Sequence, residues 1–144
     1  MAPTNGVITL AGKPYELRFD IPALTSAQAV LKAMGFRRDN VWSLADVPYD
    51  LGEEIIMFVQ GVNGARRLEK NPKVMTAEEA QDIFGDHFNW MSEKTAEIED
   101  EQEAMKVFQE EHTKVMEALA DAVKRSMGFQ RRGAKGGSPT NPVG

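Results

Sequence analysis

The sequence predicts a mainly α protein, in which a short N-terminal β-hairpin is followed by a small helical bundle with one long C-terminal helix. The hairpin is indicated by alternating apolar residues around a Gly and a Pro near the N-terminus. The bundle is indicated by capping boxes that precede apolar residues at helical spacing. The long helix is indicated by residues 92–127, which contain neither proline nor glycine. We therefore expect one domain over residues 1–127 and a flexible basic tail over 128–144.

The hairpin is predicted at residues 6–19, with strands at 7–10 and 15–19. The apolar residues of the second strand are Tyr15, Leu17 and Phe19. They alternate with polar residues and therefore share one face. Because an isolated two-stranded hairpin is only marginally stable in water, that face must be covered. It can pack against the helices of the same chain, or the strands can pair with another subunit or a partner.

The first helix is predicted to begin at the capping-box spacing Thr25-Ser26-Ala27-Gln28 and to end at Gly35. Its apolar face is formed by Ala27, Val30, Leu31 and Met34. After this helix, the residues up to Pro48 are less regular. We expect Arg37 and Arg38 to form a solvent-exposed pair there.

Two residues of this irregular segment, Trp42 and Leu44, are expected to return to the core. A second helix then begins at the Asp50 and Glu53 capping box and ends at the glycines 61 and 64. The apolar residues on one face of this helix are Leu51, Ile55, Phe58, Val59 and Val62. Ile56 and Met57 make it apolar nearly all round, which is typical of the most buried helix in a domain.

A third helix follows the capping box formed by Thr76 and Glu79. Its apolar face is formed by Ala80, Ile83, Phe84, His87, Phe88 and Met91. We expect Ser92 to cap the long helix that follows, which would leave a tight corner between the two helices.

The long helix carries one narrow apolar stripe with a 3-4-3-4-3 spacing. The stripe consists of Met105, Phe108, His112, Val115, Leu119 and Ala122. At about 1.5 Å per residue, residues 92–127 would span roughly 50 Å, which exceeds the width of a small domain. Part of the helix is therefore expected to extend beyond the core.

The charges of this helix are unevenly distributed. Residues 93–111 contain eight acidic residues and two lysines, a local balance of −6, whereas Lys124 and Arg125 lie near the other end. Acidic residues near the N-terminus of a helix and basic residues near its C-terminus suit the helix dipole. The pattern indicates either a solvated, dipole-matched helix or an acidic face that is presented to a basic partner.

The composition limits the possible classes of function. Hydrophobic residues make up 42% and charged residues 27% of the chain, which is typical of a globular protein, and the net charge of −5 argues against nucleic acid as the main partner. The absence of cysteine excludes disulfides and thiolate metal sites and fits a reducing environment. The N-terminal residues do not resemble a signal peptide, and the longest apolar run, Ile55–Val59, is too short to span a membrane. We therefore expect a soluble protein.

The sequence contains no convincing catalytic or metal-binding motif. His87 and His112 lie in apolar stripes, and neither has a second histidine at metal-ligand spacing. We interpret His87 as a histidine at the edge of the core and His112 as a polar residue that sets the helix register. Gly128, Gly133 and Lys135 resemble a phosphate loop only superficially, because no Ser or Thr follows the lysine. We expect a protein that is not an enzyme and needs no cofactor or metal.

The order of elements resembles the tail assembly chaperones of long-tailed bacteriophages and gene transfer agents. The most specific part is the hairpin, in which a pattern of Leu, Gly, Tyr, Leu and Phe is spaced along residues 8–19. The hairpin is followed by Ile21-Pro22-Ala23-Leu24, a first helix, two more helices and a long acidic helix. This similarity covers about residues 6–127.

The resemblance implies a non-enzymatic function in the host cytoplasm. Such chaperones bind the tape measure protein and recruit tail tube subunits during tail assembly. The residues expected to pair with a sister subunit or to contact the client are Met105, Phe108, Val115, Leu119 and Val123. The alternative for these residues, above all for those after Phe108, is that they close the core of this domain.

Two other classes of function are compatible with the sequence. One is a structural virion component, such as a head–tail connector or minor tail protein, in which the hairpin and the long helix hold a ring together. The other is a cellular adaptor or regulator that dimerises through residues 105–127. Only the first of these shares a gene neighbourhood with a tape measure protein.

Overall fold

The computed structural model describes residues 5–46 and 49–128. The elements, in chain order, are the strands β1 (Gly6–Leu10) and β2 (Lys13–Leu17), the helix α1 (Ile21–Ala33), a 3₁₀ turn (Val41–Ala45), and the helices α2 (Leu51–Arg66), α3 (Ala77–Thr95) and α4 (Glu101–Ser126). The predicted fold class is confirmed, because an N-terminal hairpin is followed by helices that include a long C-terminal one. The predicted tail, the phosphate-loop resemblance and Pro48 fall on residues outside the described ranges, except for Gly128.

The hairpin is antiparallel and closes through a two-residue turn. Leu10 pairs with Lys13 across the turn, and Ala11 and Gly12 both have positive φ, of 52° and 79°. Positive φ at both central residues is the conformation of a type I′ turn, whose twist matches that of the flanking strands. The turn is therefore shorter than the predicted four residues, and β2 ends at Leu17 rather than at Phe19.

The inner face of the hairpin packs on two helices of the same chain. Its fully buried side chains are Ile8, Leu10, Leu17 and Phe19. Strand β1 lies on α4 and strand β2 lies on α2. The ring of Tyr15 also packs edge-to-face on that of Phe58, with 5.3 Å between the centroids. Of the two predicted arrangements, the structure contains the one in which the hairpin covers the core of its own chain.

Helix α2 runs through both glycines that were expected to end it. At Gly61 and Gly64 the helix touches the end of the hairpin: Gly61 O accepts a hydrogen bond from Arg18 N at 2.9 Å, and Gly64 O accepts one from Arg18 Nη1 at 3.0 Å. A Cβ atom at Gly64 would overlap the carbonyl oxygen of Arg18. These glycines therefore permit a close approach between helix and strand and do not act as stop signals.

Helix α1 begins four residues earlier than the predicted start at Thr25. Asp20 is the N-cap, since its carboxylate accepts a hydrogen bond from Ala23 N at 2.9 Å, and Pro22 fits the first turn. Thr25 lies inside the helix and donates to Ile21 O at 3.0 Å. The buried face of α1 also differs from the predicted one. Ala27 and Leu31 are buried, but the predicted core residues Val30 and Met34 are exposed.

The corner between the last two helices was also predicted incorrectly. Helix α3 continues through Ser92 to Thr95, and α4 begins only at Glu101, so the predicted continuous helix is interrupted at residues 96–100. Asp100 is the N-cap of α4, because its carboxylate accepts from Gln102 N at 3.0 Å. Asp competes for backbone donors more effectively than Ser92 does from within an established helix.

The expectations for the segment between α1 and α2 were only partly correct. Leu44 is buried, but Trp42 is 60% exposed. Arg37 is exposed as predicted, whereas Arg38 is buried and forms an ion pair with Glu53, with 2.7 Å between Nε and Oε2. Arg38 also donates to Ser43 O at 2.6 Å. It thereby joins the irregular segment to the first turn of α2.

Alanine at Gly64 is expected to destabilise the fold, because the new methyl group would meet the rigid backbone of Arg18. We expect a loss of about 3 kcal/mol or more in the free energy of unfolding, measured by chemical denaturation. Gly85 in α3 is the matched control, since a Cβ atom there meets nothing within 4 Å. Gly85→Ala should stabilise the protein by about 0.5–1 kcal/mol. Equal effects of the two substitutions would contradict this account of the helix–strand contact.

The stability of the fold is expected to depend on the ionisation of Asp20. Hydrogen bonding from Arg67, at 2.6 Å and 2.8 Å, lowers the pKa of the Asp20 carboxyl below its ordinary value of 3.8. A carboxyl with a lowered folded-state pKa stabilises the protein above the unfolded-state pKa, and this contribution is lost as the pH falls through the folded-state pKa. The free energy of unfolding of Asp20→Asn should therefore lie below that of the unmodified protein at pH 6, and the difference should shrink between pH 4 and pH 2. A difference that is independent of pH would show that the charge is not involved.

Candidate functional site

The end of the α3–α4 helical hairpin lies outside the core. We call residues 92–110 the α3–α4 arm; it comprises the last turn of α3, the link and the first ten residues of α4. No residue of this arm is buried. The nearest fully buried side chains on the two helices are Met91 and Val115. The arm therefore extends beyond the core, as the length of the predicted helix had suggested.

Apolar and acidic residues share the surface of the arm. Met105 is 58% exposed, and Ile98, Val107 and Phe108 are half-buried. Seven acidic residues and two lysines lie between residues 92 and 110. At the base of the arm, the ring of Phe108 stacks on that of Phe88 at a centroid distance of 6.1 Å. An apolar strip with an acidic border is thus available on a pair of helices.

The five residues that were predicted to contact a partner fall into two groups in the structure, of which one is buried and the other is accessible. Val115, Leu119 and Val123 are buried, with relative exposures of 3%, 0% and 0%, and they belong to the core of this chain. Only Met105 and Phe108 lie where another chain can contact them. The predicted stripe lies outside the core before about residue 111, and it is part of the core after that residue. Residues 105–127 therefore do not form one continuous exposed stripe.

At the point where α4 enters the core, His112 forms a buried contact with α2. Its Nε2 atom lies 2.8 Å and 3.0 Å from the two carboxylate oxygens of Glu54, whose side chain is 0% exposed. Burial raises the pKa of the Glu54 carboxyl, and the neighbouring His112 opposes this effect. His112 is therefore more than a polar residue in a stripe, because it compensates a carboxylate that the apolar helix α2 carries into the interior.

His87 is held beneath the turn of the hairpin. Its Nδ1 atom accepts a hydrogen bond from Ala11 N at 2.8 Å, so Nδ1 carries no proton and the hydrogen of the neutral ring is on Nε2. Burial lowers the pKa of His87, which keeps the ring neutral near pH 7. The residue is 3% exposed, and its Nε2 atom has no hydrogen-bond partner. His87 is thus buried in the interior, whereas the sequence had indicated a position at the edge of the core.

A cleft of about 340 Å³ lies between β1 and the two last helices. The strand contributes Val7 and Thr9, and the helices contribute His87, Trp90 and Lys114. The ring of Trp90 stacks on that of His87 at 5.5 Å, and Lys94 Nζ lies 4.8 Å from the Trp90 ring centroid. No sequence pattern groups these residues, because β1 and the two helices are far apart along the chain.

Glu111 joins two lysines at the border of the cleft. Its carboxylate lies 3.0 Å from Lys94 Nζ and 3.1 Å from Lys114 Nζ, and these contacts lower its pKa. Lys114 and Glu111 line the cleft, whereas Lys94 belongs to the base of the arm. The cleft therefore offers an aromatic wall, an ion pair at its border and a buried N–H donor.

Metal and membrane sites were searched within the described ranges. No group of three or more His, Cys, Asp and Glu side chains in residues 5–46 and 49–128 has an arrangement that would hold a metal ion. In the same residues, no helix has the length and apolar character needed to cross a membrane. Comparisons with protein-family models, with curated proteins and with solved structures found no match to this chain.

The Glu54–His112 pair is expected to couple α2 to α4. His112→Ala leaves the carboxylate of Glu54 buried without a partner, and we expect it to lower the free energy of unfolding by about 2–3 kcal/mol. The double variant Glu54→Leu/His112→Leu removes both polar groups and should recover most of this loss.

The exposed ion pair of Arg125 and Asp121 provides the comparison, because both side chains are close to half exposed. Asp121→Ala should change the free energy of unfolding by no more than about 0.5 kcal/mol. The three free energies are measured by urea denaturation at pH 7. If the double variant is no more stable than His112→Ala, the buried charge is not the cause of the loss.

Proposed function

We propose that this chain is a non-enzymatic binding protein of the tail assembly chaperone type, which binds a tape measure protein and recruits tail tube subunits. The observation that carries the proposal is the exposed α3–α4 arm, with Met105 on its surface and no buried residue between 92 and 110. The apolar side chains of the arm lie beyond the core of this chain, where another helix can contact them. The resemblance of the hairpin and of the helix order to these chaperones gives the class of client.

The chemistry of the arm suits an apolar, helix-prone client. Methionine is flexible and polarisable, so Met105 adapts to irregular apolar surfaces, and Phe108 provides a rigid neighbour one turn away. The seven acidic residues of the arm keep it hydrated when the client is absent. They also favour encounter with basic segments and increase the association rate more than the affinity.

The polar groups of the interior support a structural rather than a catalytic role. Nε2 of His112 contacts the Glu54 carboxylate, and Nδ1 of His87 accepts from the backbone of Ala11. Both contacts join elements of the fold to each other. In this proposal the chain acts in the host cytoplasm through its surface, and assembly with other copies would take place on the arm or beside it.

The experiment that tests this function is co-expression with a candidate tape measure protein. The chaperone should increase the soluble fraction of the tape measure protein and should copurify with it. Met105→Glu places a charge in the apolar strip and should weaken binding about tenfold, which corresponds to about 1.4 kcal/mol. The dissociation constant is measured by titration with a soluble fragment of the client.

Leu68→Glu is the matched control, because Leu68 is also exposed and apolar but lies outside the arm. It should leave client binding unchanged. If both variants bind equally well, or if the client remains insoluble with the unmodified chain, the proposed function is wrong. Recovery of the chain from purified particles at a symmetric copy number would instead favour a structural virion component.

A further inference from the structure

Strand β1 has one edge that no strand of the described residues covers. The sheet in this part of the chain consists of β1 and β2 only. Leu10 and Lys13 flank a two-residue turn and form a hydrogen-bonded pair, and hydrogen-bonded and non-hydrogen-bonded pairs alternate from there. Ile8 therefore bonds to β2, whereas Val7 and Thr9 direct their backbone N–H and C=O groups away from it. These N–H and C=O groups form a short row with the spacing that a neighbouring strand needs for hydrogen bonding.

The outer edge of β2 differs, because it is blocked. Pro14 faces Thr9 in a non-hydrogen-bonded pair, so its nitrogen lies on the outer side of β2. Proline has no N–H, and a proline at this position is a common protection against unwanted strand pairing. Beyond β2, Arg18 N bonds to Gly61 O in α2. Of the two edges, only that of β1 retains all of its donors and acceptors.

Space for another strand is present beside this open edge. The cleft of about 340 Å³ is lined by Val7 and Thr9 on the β1 side and by Trp90, Lys114 and Ala118 on the helical side. This volume is at the lower end of the range for ligand pockets. It suits one or two side chains of a peptide that follows the strand.

An unsatisfied donor lines the same cleft. Nε2 of His87 is buried and carries the ring proton, because Nδ1 accepts from Ala11 N. A buried N–H group without an acceptor costs free energy, and an incoming oxygen beside Trp90 would remove that cost. This observation is independent of the strand edge and indicates an occupant that brings a hydrogen-bond acceptor.

We propose that β1 accepts an additional strand, supplied by an extended segment of a partner protein, which pairs with the backbone of Val7 and Thr9. The segment carries small apolar side chains toward Trp90 and Ala118 and an oxygen acceptor toward His87. A second copy of this chain is the alternative occupant of the same edge, and the experiment below distinguishes it from a partner segment. The site adjoins the base of the α3–α4 arm, where Lys94 lies 4.8 Å from the Trp90 ring, but it uses the backbone of β1 and does not depend on the proposed client of the arm.

The test uses the full chain labelled with ¹⁵N and an acetylated, amidated peptide of alternating Thr and Val, seven residues long. Alternating β-branched residues favour an extended conformation, and the peptide has no charge. Amide hydrogen exchange is followed by NMR with and without the peptide. At saturation, exchange at Val7 and Thr9 should slow by about tenfold or more, whereas Ile8 and Leu10, already bonded to β2, should not change.

Two variants separate backbone pairing from side-chain contact. Thr9→Pro removes an outward N–H without removing a hydrogen bond between β1 and β2, and it should weaken peptide binding at least about fivefold. Thr9→Ala keeps the N–H group and should bind the peptide like the unmodified chain. Because the exchange measurement uses the unmodified chain, it decides the question even if Thr9→Pro does not fold.

Three results would overturn the proposal. One is the absence of new protection at Val7 and Thr9 at millimolar peptide. Another is protection confined to residues outside β1, α3 and α4. The last is protection at Val7 and Thr9 without peptide that increases with protein concentration, which would show that β1 pairs with a second copy.

Discussion

The fold depends on the close contact between the hairpin and two helices. Gly61 and Gly64 allow α2 to reach the backbone at the end of β2, and Gly6 allows β1 to lie against Ala122 of α4. Because side chains are missing at these points, the backbones approach closely, and the hairpin can bury Ile8, Leu10, Leu17 and Phe19. A two-stranded hairpin would be only marginally stable without this support. The same contact determines which residues of α2 and α4 are interior.

The buried acidic residues of α2 are compensated by partners from neighbouring elements. Helix α2 is apolar nearly all round, yet it carries Glu53 and Glu54 in its first turn. Arg38 compensates the first and His112 the second, both through contacts of 2.8 Å or less. The first contact connects α2 to the segment that precedes it and the second connects α2 to α4, so these groups fix the relative positions of the elements as well as costing desolvation energy. The part of α4 after His112 is consequently packed in the core, whereas the α3–α4 arm is not covered.

The two candidate interaction surfaces differ in their physical basis. The α3–α4 arm presents side chains, namely an apolar strip with an acidic border, and it is suited to another helix. The β1 edge presents backbone groups beside a cleft with an aromatic wall, and it is suited to an extended segment. The arm would therefore recognise a partner through side chains, whereas the edge would do so through main-chain hydrogen bonds.

Local chemistry alone determined much of this structure. The alternation in residues 15–19, the capping boxes at Asp50 and Thr76, and the apolar face of α3 depend on near neighbours, and all of them were predicted correctly. The start of α1 and the corner at residues 96–100 depended on competition between possible N-caps of similar local merit, which Asp20 and Asp100 won, and the burial of Arg38 depended on its ion pair with Glu53. In the sequence, helical spacing fits a surface stripe and a core stripe equally well for Val115, Leu119 and Val123. Only the tertiary structure decided that they are core, because the hairpin lies over that half of α4 and leaves the other half to solvent.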